Sequence, residues 1–395
     1  MPLVNWYRAA LPEDWQNGGF GLYIHWPFCQ AKCPYCDFNS HVVSSIDQTR
    51  WADAYVAELD RVGAQTQGRI LKSVFFGGGT PSMMAPETVH RIMEKVRATW
   101  PMTNSAEVTL EANPTSVEAG RFRGYRQAGV NRVSMGIQAL NNHDLRALGR
   151  LHSVEEAYAA FDIARSEFER VSFDLIYARQ EQTLKEWETE LKQALSMAID
   201  HLSLYQLTIE DGTAFGDRYA IGKLRGLPDD DTAADMYDLT QDICGEMGFP
   251  AYEVSNHAKP DAESQHNQIY WRYGDYVGIG PGAHGRLTFD GTRYATECPK
   301  APQLWLQSVE KNGHGELPRE ALNRDDEITE FLLMGMRLTE GVDLSRLANL
   351  AGQRFDPAIR RLQDGGMITK ENGRLCVTPQ GRPILNAVLR DLLSD

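Results

Sequence analysis

Three cysteines stand in a C-x3-C-x2-C spacing near the start of the chain. They are Cys29, Cys33 and Cys36, in the stretch Cys29-Gln-Ala-Lys-Cys33-Pro-Tyr-Cys36. A ferredoxin-type iron–sulfur cluster normally has a protein ligand on every iron, so three thiolates without a fourth nearby fit a [4Fe-4S] cluster with one open iron. An open iron invites a small chelating molecule, and S-adenosylmethionine (SAM) offers an amine and a carboxylate.

Two other interpretations use the same cysteines. Structural zinc usually takes four ligands, from paired C-x2-C knuckles or from Cys with His, and His25 and His41 flank the stretch. In the third interpretation the cysteines are buried free thiols that act as small apolar side chains. The close spacing of three thiols favours the cluster over both alternatives.

The composition is that of an acidic globular protein. The 395 residues include 42% apolar and 24% charged side chains, and the formal net charge is -14. A surface of that charge repels nucleic acid and anionic membranes. Six cysteines with three of them clustered do not resemble a disulfide framework and suit a reducing compartment. Because the sequence also carries no basic leader before an apolar run and no stretch of membrane-spanning length, it predicts a cytoplasmic protein.

Strands alternate with helices through the first half of the chain. The predicted strands are residues 21–24, 70–76, 107–111, 130–136, 170–176 and 201–207. The helices between them carry capping boxes, in which Ser or Thr precedes Glu by three residues; the pairs are Thr115 with Glu118, Ser153 with Glu156 and Thr183 with Glu186. About six such units are fewer than the eight of a closed barrel. The sequence therefore predicts an α/β fold with an incomplete (β/α)6 TIM-like barrel.

Changes in this pattern divide the chain into four predicted parts. They are an N-terminal lead-in (1–20), the partial barrel (21–210), a barrel extension that contains His266-Asn-Gln-Ile-Tyr-Trp271 (211–320) and a C-terminal winged-helix-like domain (321–395). A winged helix raises the hypothesis of DNA binding. Residues 321–395 hold 10 Lys and Arg against 11 Asp and Glu, so they lack the positive footprint of a phosphate binder. We expect no nucleic-acid partner.

The cysteine stretch, together with the preceding Tyr23-Ile-His-Trp-Pro-Phe, resembles the radical SAM superfamily. Within it the chain resembles the branch that contains coproporphyrinogen dehydrogenase (HemN) and HemW, over nearly its whole length. The resemblance implies a radical SAM barrel with a HemN-type C-terminal domain. It also implies a [4Fe-4S] cluster on Cys29, Cys33 and Cys36, with SAM on the open iron. Reduction of the SAM sulfonium to a 5'-deoxyadenosyl radical is chemistry of the cofactor, which the protein positions.

The resemblance also implies which residues contact SAM, and most of them follow predicted strands. They are Tyr23, Tyr35, Gly78, Gly79, Thr80, Glu111, Gln138, Arg150 and Asp174. The residue types suit the ligand, since Arg150 can pair with a carboxylate through a two-pronged contact and Asp174 can accept ribose hydroxyls. Core packing is the alternative for the tyrosines, and a helix-cap partner is the alternative for Glu111. The family usually continues Asp-Leu-Ile-Tyr with Gly-Leu-Pro, whereas Tyr177 is followed here by Ala178-Arg-Gln-Glu181, so we expect the turn near Asp174 to differ.

Three features favour the HemW branch by resemblance. Phe38 stands where the oxidative decarboxylases have a fourth cysteine, the His266 to Trp271 motif is present, and only about twenty residues precede the first strand. The resemblance implies a HemW-type haem chaperone that passes haem to an acceptor haemoprotein such as a respiratory enzyme, which can be associated with the membrane. The alternative is an oxygen-independent coproporphyrinogen III oxidase or another radical SAM enzyme that acts on tetrapyrroles. Whether the chain is an enzyme stays open.

Haem transfer needs an apolar groove and an exchangeable axial ligand. The candidate haem residues are His266, Tyr270 and Trp271. Their alternative role is structural, as a histidine and aromatics that seal the barrel against the second domain.

Overall fold

Parallel strands form the frame of the cysteine loop. The computed structural model describes residues 13–394, without the side chains of Ser116 and Val117; residues 1–12 of the predicted lead-in lie outside this range. The first part of the chain alternates strands with helices. It contains β1 (Phe20–Trp26), β2 (Phe28–Cys29), β3 (His41–Val42), α1 (Gln48–Gln65), β4 (Leu71–Gly78), α2 (Pro86–Thr99), β5 (Met102–Ala112), α3 (Ser116–Ala119), α4 (Phe122–Ala128), β6 (Arg132–Gln138), α5 (Asn142–Ala147), α6 (Val154–Glu167), β7 (Arg170–Tyr177), α7 (Leu184–Met197) and β8 (His201–Gln206).

The second part of the chain adds strands to both edges of this sheet and then forms a separate layer. It contains α8 (Ala214–Ala220), α9 (Asp230–Glu246), β9 (Asn256–Ala258), α10 (Gln265–Trp271), β10 (Asp275–Ile279), β11 (His284–Phe289), β12 (Thr292–Glu297), α11 (Pro302–Asn312) and β13 (Glu320–Ala321). The C-terminal elements are α12 (Arg324–Gly335), β14 (Val342–Asp343), α13 (Leu344–Ala351), α14 (Asp356–Asp364), β15 (Ile368–Glu371), β16 (Arg374–Val377) and α15 (Leu385–Leu393).

The main sheet confirms the predicted α/β barrel fold. Its order is β13-β12-β11-β10-β1-β4-β5-β6-β7-β8-β9, and the six predicted strands pair in parallel from β1 to β8. The sheet does not close, because β13 and β9 are its edges. A further parallel strand, β10, pairs with β1. The sequence did not predict this strand, because its residues lead into the glycine-rich run Gly278-Ile-Gly-Pro-Gly282, which reads as a loop.

Burial on both faces explains why the barrel strands are so apolar. Side chains such as Leu22, Phe76, Leu110, Val133 and Phe173 are fully buried, as expected for parallel strands covered by helices. The C-terminal elements have a separate apolar core around the three-stranded sheet β14-β16-β15. This arrangement of helices and a small antiparallel sheet is winged-helix-like. Within residues 13–394, no helix is both long enough and apolar enough to cross a bilayer.

Two of the three predicted capping boxes are confirmed and one is wrong. Ser153 with Glu156 and Thr183 with Glu186 form both reciprocal hydrogen bonds. The Thr115 hydroxyl accepts from the Glu118 N–H at 3.4 Å. The buried Glu118 carboxylate instead accepts hydrogen bonds from the Ser82 hydroxyl and from the Asn113 N–H. Glu118 therefore fixes the loop after β5 rather than the start of a long helix, and α3 has only four residues.

Candidate functional site

One pocket at the carboxyl ends of the parallel strands collects the predicted cluster and cofactor residues. All of them except Tyr23 line it; they are Cys29, Cys33, Tyr35, Cys36, Gly78, Gly79, Thr80, Glu111, Gln138, Arg150 and Asp174. The pocket also contains Asn113 and Ser134, which sequence analysis did not identify. Their position near the ends of β5 and β6 is the signal that could have identified them.

The three cysteines lie on one wall of this pocket. Cys29 is 8% exposed and belongs to β2, which pairs with β3 and so fixes both ends of the cysteine loop. The Thr80 hydroxyl donates to Cys29 Sγ at 3.3 Å, and Arg150 Nη1 donates to Cys33 Sγ at 3.2 Å. Burial raises the pKa of the Cys29 and Cys36 thiols. These two side chains are therefore neutral thiols until a metal displaces their protons.

The donor set fits a cluster better than a single ion. Among residues 13–394, no group of three or more His, Cys, Asp or Glu side chains is arranged to hold one metal ion. In a [4Fe-4S] cluster each cysteine binds a different iron, so the thiols need not converge on one point. His25, a possible fourth zinc ligand, instead donates through Nε2 to the Asn39 carbonyl at 2.9 Å, and its Nδ1 accepts from the Tyr23 hydroxyl.

The glycine turn after β4 brings two backbone segments together. Gly78 has a φ of +113°, which side chains rarely allow, and a Cβ on Gly79 would lie 2.7 Å from the Phe28 carbonyl oxygen. The Gly79 and Thr80 N–H groups donate to the carbonyls of Trp26 and Phe28. Both N–H groups are therefore engaged within the protein and are not open to a ligand. The glycines let the β1–β2 connection approach closely, and they face the pocket without free N–H donors.

Two carboxyl groups form the floor of the pocket. Glu111 ends β5 and accepts a hydrogen bond from the Gly78 N–H at 3.2 Å. Burial, followed by the nearby Asp174, raises the pKa of Glu111 to about 8, and burial raises the pKa of Asp174 to about 6. Low dielectric surroundings disfavour the two negative charges. A cationic ligand such as an ammonium or sulfonium would compensate them.

Arg150 supplies the positive charge of the site. Its Nη2 donates to the Asn113 Oδ1 at 2.7 Å and to the Gly136 carbonyl at 2.8 Å. Its buried Nε has no hydrogen-bond partner within the described part of the chain. An unpartnered guanidinium N–H beside two acidic groups is the arrangement that a zwitterionic ligand needs, so the residues present fit SAM. Asn113 also donates to the Thr80 hydroxyl at 3.3 Å, which connects the two sides of the pocket.

A second, inner cavity lies beneath this floor. It holds about 210 Å³ and shares Glu111, Ser134 and Asp174 with the outer pocket. Tyr23, the one predicted cofactor residue outside the outer pocket, lines this cavity with His266 and Tyr270. Tyr23 therefore lies below the floor and approaches a ligand only from beneath.

The three candidate haem residues do not share one surface. His266 is 2% exposed, and its ring nitrogens contact the Ser73 hydroxyl at 2.8 Å and the Tyr270 hydroxyl at 2.9 Å. Burial lowers the pKa of His266 to about 3, so the imidazole is neutral. Trp271 lines a cleft against the C-terminal elements, with the Arg337 guanidinium 5.3 Å from its ring centre. Helix α10 packs against β1, β4, β5, β10 and α12 and so lies between barrel and C-terminal core.

Comparisons with known proteins agree with this geometry. A model of the radical SAM superfamily matches residues 23–194, and a model of the HemN C-terminal domain matches residues 322–384. The solved structure of coproporphyrinogen III oxidase (HemN) from Escherichia coli superposes with a TM-score of 0.80 at 23% identity, covering 95% of this chain and 90% of that one. The fold and the three-cysteine site thus define a protein of the radical SAM class.

Full-length relatives identify the family within that class. The heme chaperone HemW of Escherichia coli is 37% identical over 380 residues, which cover 95% of this chain and 98% of HemW. HemW of Bacillus subtilis is 32% identical over 94% of this chain and 99% of its own length. The mitochondrial radical S-adenosyl methionine domain-containing protein 1 of Danio rerio is 37% identical over 94% of this chain and 86% of its own length. The chain belongs to the HemW family of radical SAM proteins.

Replacing Cys33 by Ala tests the cluster assignment. The variant C33A has two of the three thiols, so after anaerobic reconstitution we expect it to lose the electron paramagnetic resonance signal and most of the bound iron and sulfide. The matched control is C298A, which removes a buried cysteine outside the pocket and should keep both. A wild-type spectrum in C33A, or zinc in place of iron in the purified protein, would show that the assignment is wrong.

The pKa of Glu111 predicts a pH dependence of SAM binding. Below about pH 8 the ligand-free Glu111 is mostly protonated, and a cationic ligand favours the carboxylate, so binding releases a proton and becomes tighter as the pH rises towards 8. Calorimetry between pH 6.5 and 8.5, in buffers of different ionisation enthalpy, measures both the affinity and the protons released.

The variant E111Q separates this effect from titration of SAM itself. We expect E111Q to bind SAM more weakly at pH 8.5. The dependence of SAM affinity on pH should also be less steep, because Gln does not titrate. Identical slopes in wild type and E111Q would contradict the role of Glu111.

Proposed function

We propose that this protein binds haem and transfers it to an acceptor haemoprotein, and that it carries a [4Fe-4S] cluster on Cys29, Cys33 and Cys36 with exchangeable SAM beside it. The observation that supports this most directly is the match to the heme chaperone HemW of Escherichia coli, which extends over 95% of this chain and 98% of the relative. The solved coproporphyrinogen III oxidase shares the fold at 23% identity, and a shared fold does not imply a shared activity.

Phe38 supports the carrier over the decarboxylase. It stands two residues after Cys36 at the mouth of the pocket and is 59% exposed. A cysteine at this position would add a fourth thiol to the rim. The aromatic ring gives the mouth an apolar surface and no metal ligand.

The pocket residues divide the work of holding SAM. Glu111 and Asp174 would face its cationic and hydroxyl groups, and Arg150 would hold its carboxylate through the guanidinium group. Gly78, Gly79, Thr80, Gln138 and Tyr35 would form the walls around it. When bound, the cluster can supply an electron to the sulfonium, which is chemistry of the cofactor. The contribution of the chain is to orient the ligand and to exclude water at the buried floor.

His266, Tyr270 and Trp271 remain the predicted haem residues, and the structure sets a condition on this prediction. Both ring nitrogens of His266 are engaged by hydroxyl groups. Ligation of haem iron by His266 would therefore require at least one of these two hydrogen bonds to break, by a movement of the Tyr270 side chain or of α10. The acceptor, a respiratory enzyme by family resemblance, and the cytoplasmic location belong to the same proposal.

Anaerobic assays of the reconstituted protein distinguish chaperone from enzyme. With coproporphyrinogen III, SAM and a reductant we expect no decarboxylated porphyrin. Titration with haem should give a saturable Soret band, and mixing the loaded protein with a haem-free acceptor protein should move that band to the acceptor. Decarboxylated product without stable haem binding would establish the oxidase instead.

Histidine variants test the axial ligand. If His266 ligates the iron, H266A should shift or lose the Soret band, because the iron loses a nitrogen ligand. The control H90A removes an exposed histidine on α2, which is not a candidate ligand, and should keep it. An unchanged Soret band in a folded H266A, checked by circular dichroism, would contradict the role of His266.

A further inference from the structure

The turn that departs from the family pattern buries a charged side chain. Ala178 and Glu181 have φ values of +56° and +59°, a left-handed conformation that is uncommon for residues other than Gly. Between them Arg179 points into the protein and is only 4% exposed. A buried arginine must be paired, so its partners indicate what the turn is built to hold.

Arg179 joins three elements. Its Nε donates to Asp144 Oδ2 at 2.9 Å, its Nη2 forms ion pairs with Asp144 at 2.7 Å and with Glu190 at 2.5 Å, and its Nη1 donates to the Ile176 carbonyl. Asp144 lies on α5, Ile176 on β7 and Glu190 on α7. One guanidinium thus ties the short helix α5 to the adjacent strand and to the helix that covers it.

Glu190 extends the connection to the backbone. Its Oε1 accepts a hydrogen bond from the Leu140 N–H at 2.6 Å, while Arg179 and Gln182 engage the other oxygen. Leu140 and Asp144 both belong to the segment between Gln138 and Arg150, which is therefore held at two points.

This segment begins and ends at residues of the cofactor pocket. Gln138 has a left-handed backbone, with φ of +78°, and lines the pocket at the end of β6. Arg150 reaches Cys33 Sγ, Asn113 and the Gly136 carbonyl. The position of both side chains depends on where α5 lies.

The 138–150 segment also has room to move if the ion pairs of Arg179 are lost. A groove of about 690 Å³ runs beside it and is lined by Asp144, Arg179, Glu190 and their neighbours. Without Arg179, two acidic side chains would face each other with no cation between them, and their repulsion would favour displacement into this groove.

We propose that Arg179 and Glu190 are positioning residues of the cofactor pocket, which act on SAM binding by fixing the 138–150 segment that carries Gln138 and Arg150. This inference rests on the proposed SAM site. Neither side chain lines the pocket, so their effect is indirect.

The variant R179M keeps the bulk and removes the charge. We expect it to bind SAM roughly tenfold more weakly, because a small displacement of Arg150 spoils its alignment with the ligand, and to show an altered change in the cluster's electron paramagnetic resonance spectrum on SAM addition. R179K, which keeps the charge but cannot bridge both acids, should restore part of the affinity. E190Q, which keeps an acceptor for the Leu140 N–H, should weaken binding less than R179M.

The control R293M removes an arginine that is equally buried and paired with Asp275 at 2.9 Å away from the pocket. It should lower the thermal midpoint as R179M does but leave SAM affinity unchanged. If R179M and R179K lose stability but keep the SAM affinity and spectra of the wild type, the role of Arg179 is structural only and the inference is wrong. If R179M does not fold, the same measurements on R179K and E190Q test the inference. Failure of the wild type to bind SAM would instead overturn the proposed cofactor site. Titration of R179M with haem should give the same result as titration of the wild type.

Discussion

Parallel pairing of the barrel strands is the constraint on which the site depends. Because parallel strands present their carboxyl ends at one edge, β1, β4, β5, β6 and β7 bring together side chains that are far apart in the sequence. The cysteine loop leaves β1 at this edge, and Gly78, Glu111, Gln138 and Asp174 end or nearly end the strands beside it. Strand register therefore sets the positions of these strand-end residues, while the cysteine loop and the 138–150 segment place Cys33 and Arg150 against them.

Burial at this edge shifts the pKa values of the acidic groups and leaves a guanidinium nitrogen without a hydrogen-bond partner among the described residues. Removal of water raises the pKa of Glu111 and Asp174, and it makes an unpartnered guanidinium nitrogen costly to keep. Such groups persist where a ligand compensates them, so the site is electrostatically incomplete on its own. A zwitterionic, partly cationic molecule such as the proposed SAM would complete it with respect to both charge and hydrogen bonds.

Local signals predicted much of the fold, and contacts between distant segments account for what they missed. The boxes at Ser153 and Thr183 depend on neighbours three residues away and were predicted. Strand β10 exists because it pairs with β1 some 250 residues earlier in the chain, which no short pattern encodes. In the same way, the sequence placed Gly79 in a turn beside the cofactor, and only the structure shows that its missing side chain also makes room for the backbone of Phe28. The strand-end residues of the pocket were predictable, whereas Arg179 gains its role only from tertiary contacts.

The residues between the two cavities connect the motif from His266 to Trp271 with the cofactor pocket through hydrogen bonds. Arg132 donates to Ser172, Ser172 to Ser134, and Ser134 to Asp174 at 3.5 Å, so a chain of hydrogen bonds descends from the pocket floor into the barrel. At its lower end Glu107 pairs with Arg132 and accepts from the Ser264 hydroxyl that precedes α10. Withdrawal of α10 would therefore unpair groups that support the floor, in addition to freeing the ring of His266. If haem and SAM bind as proposed, such a movement of α10 would let the two sites affect each other, because Glu107, Arg132 and Asp174 belong to one buried hydrogen-bonded network.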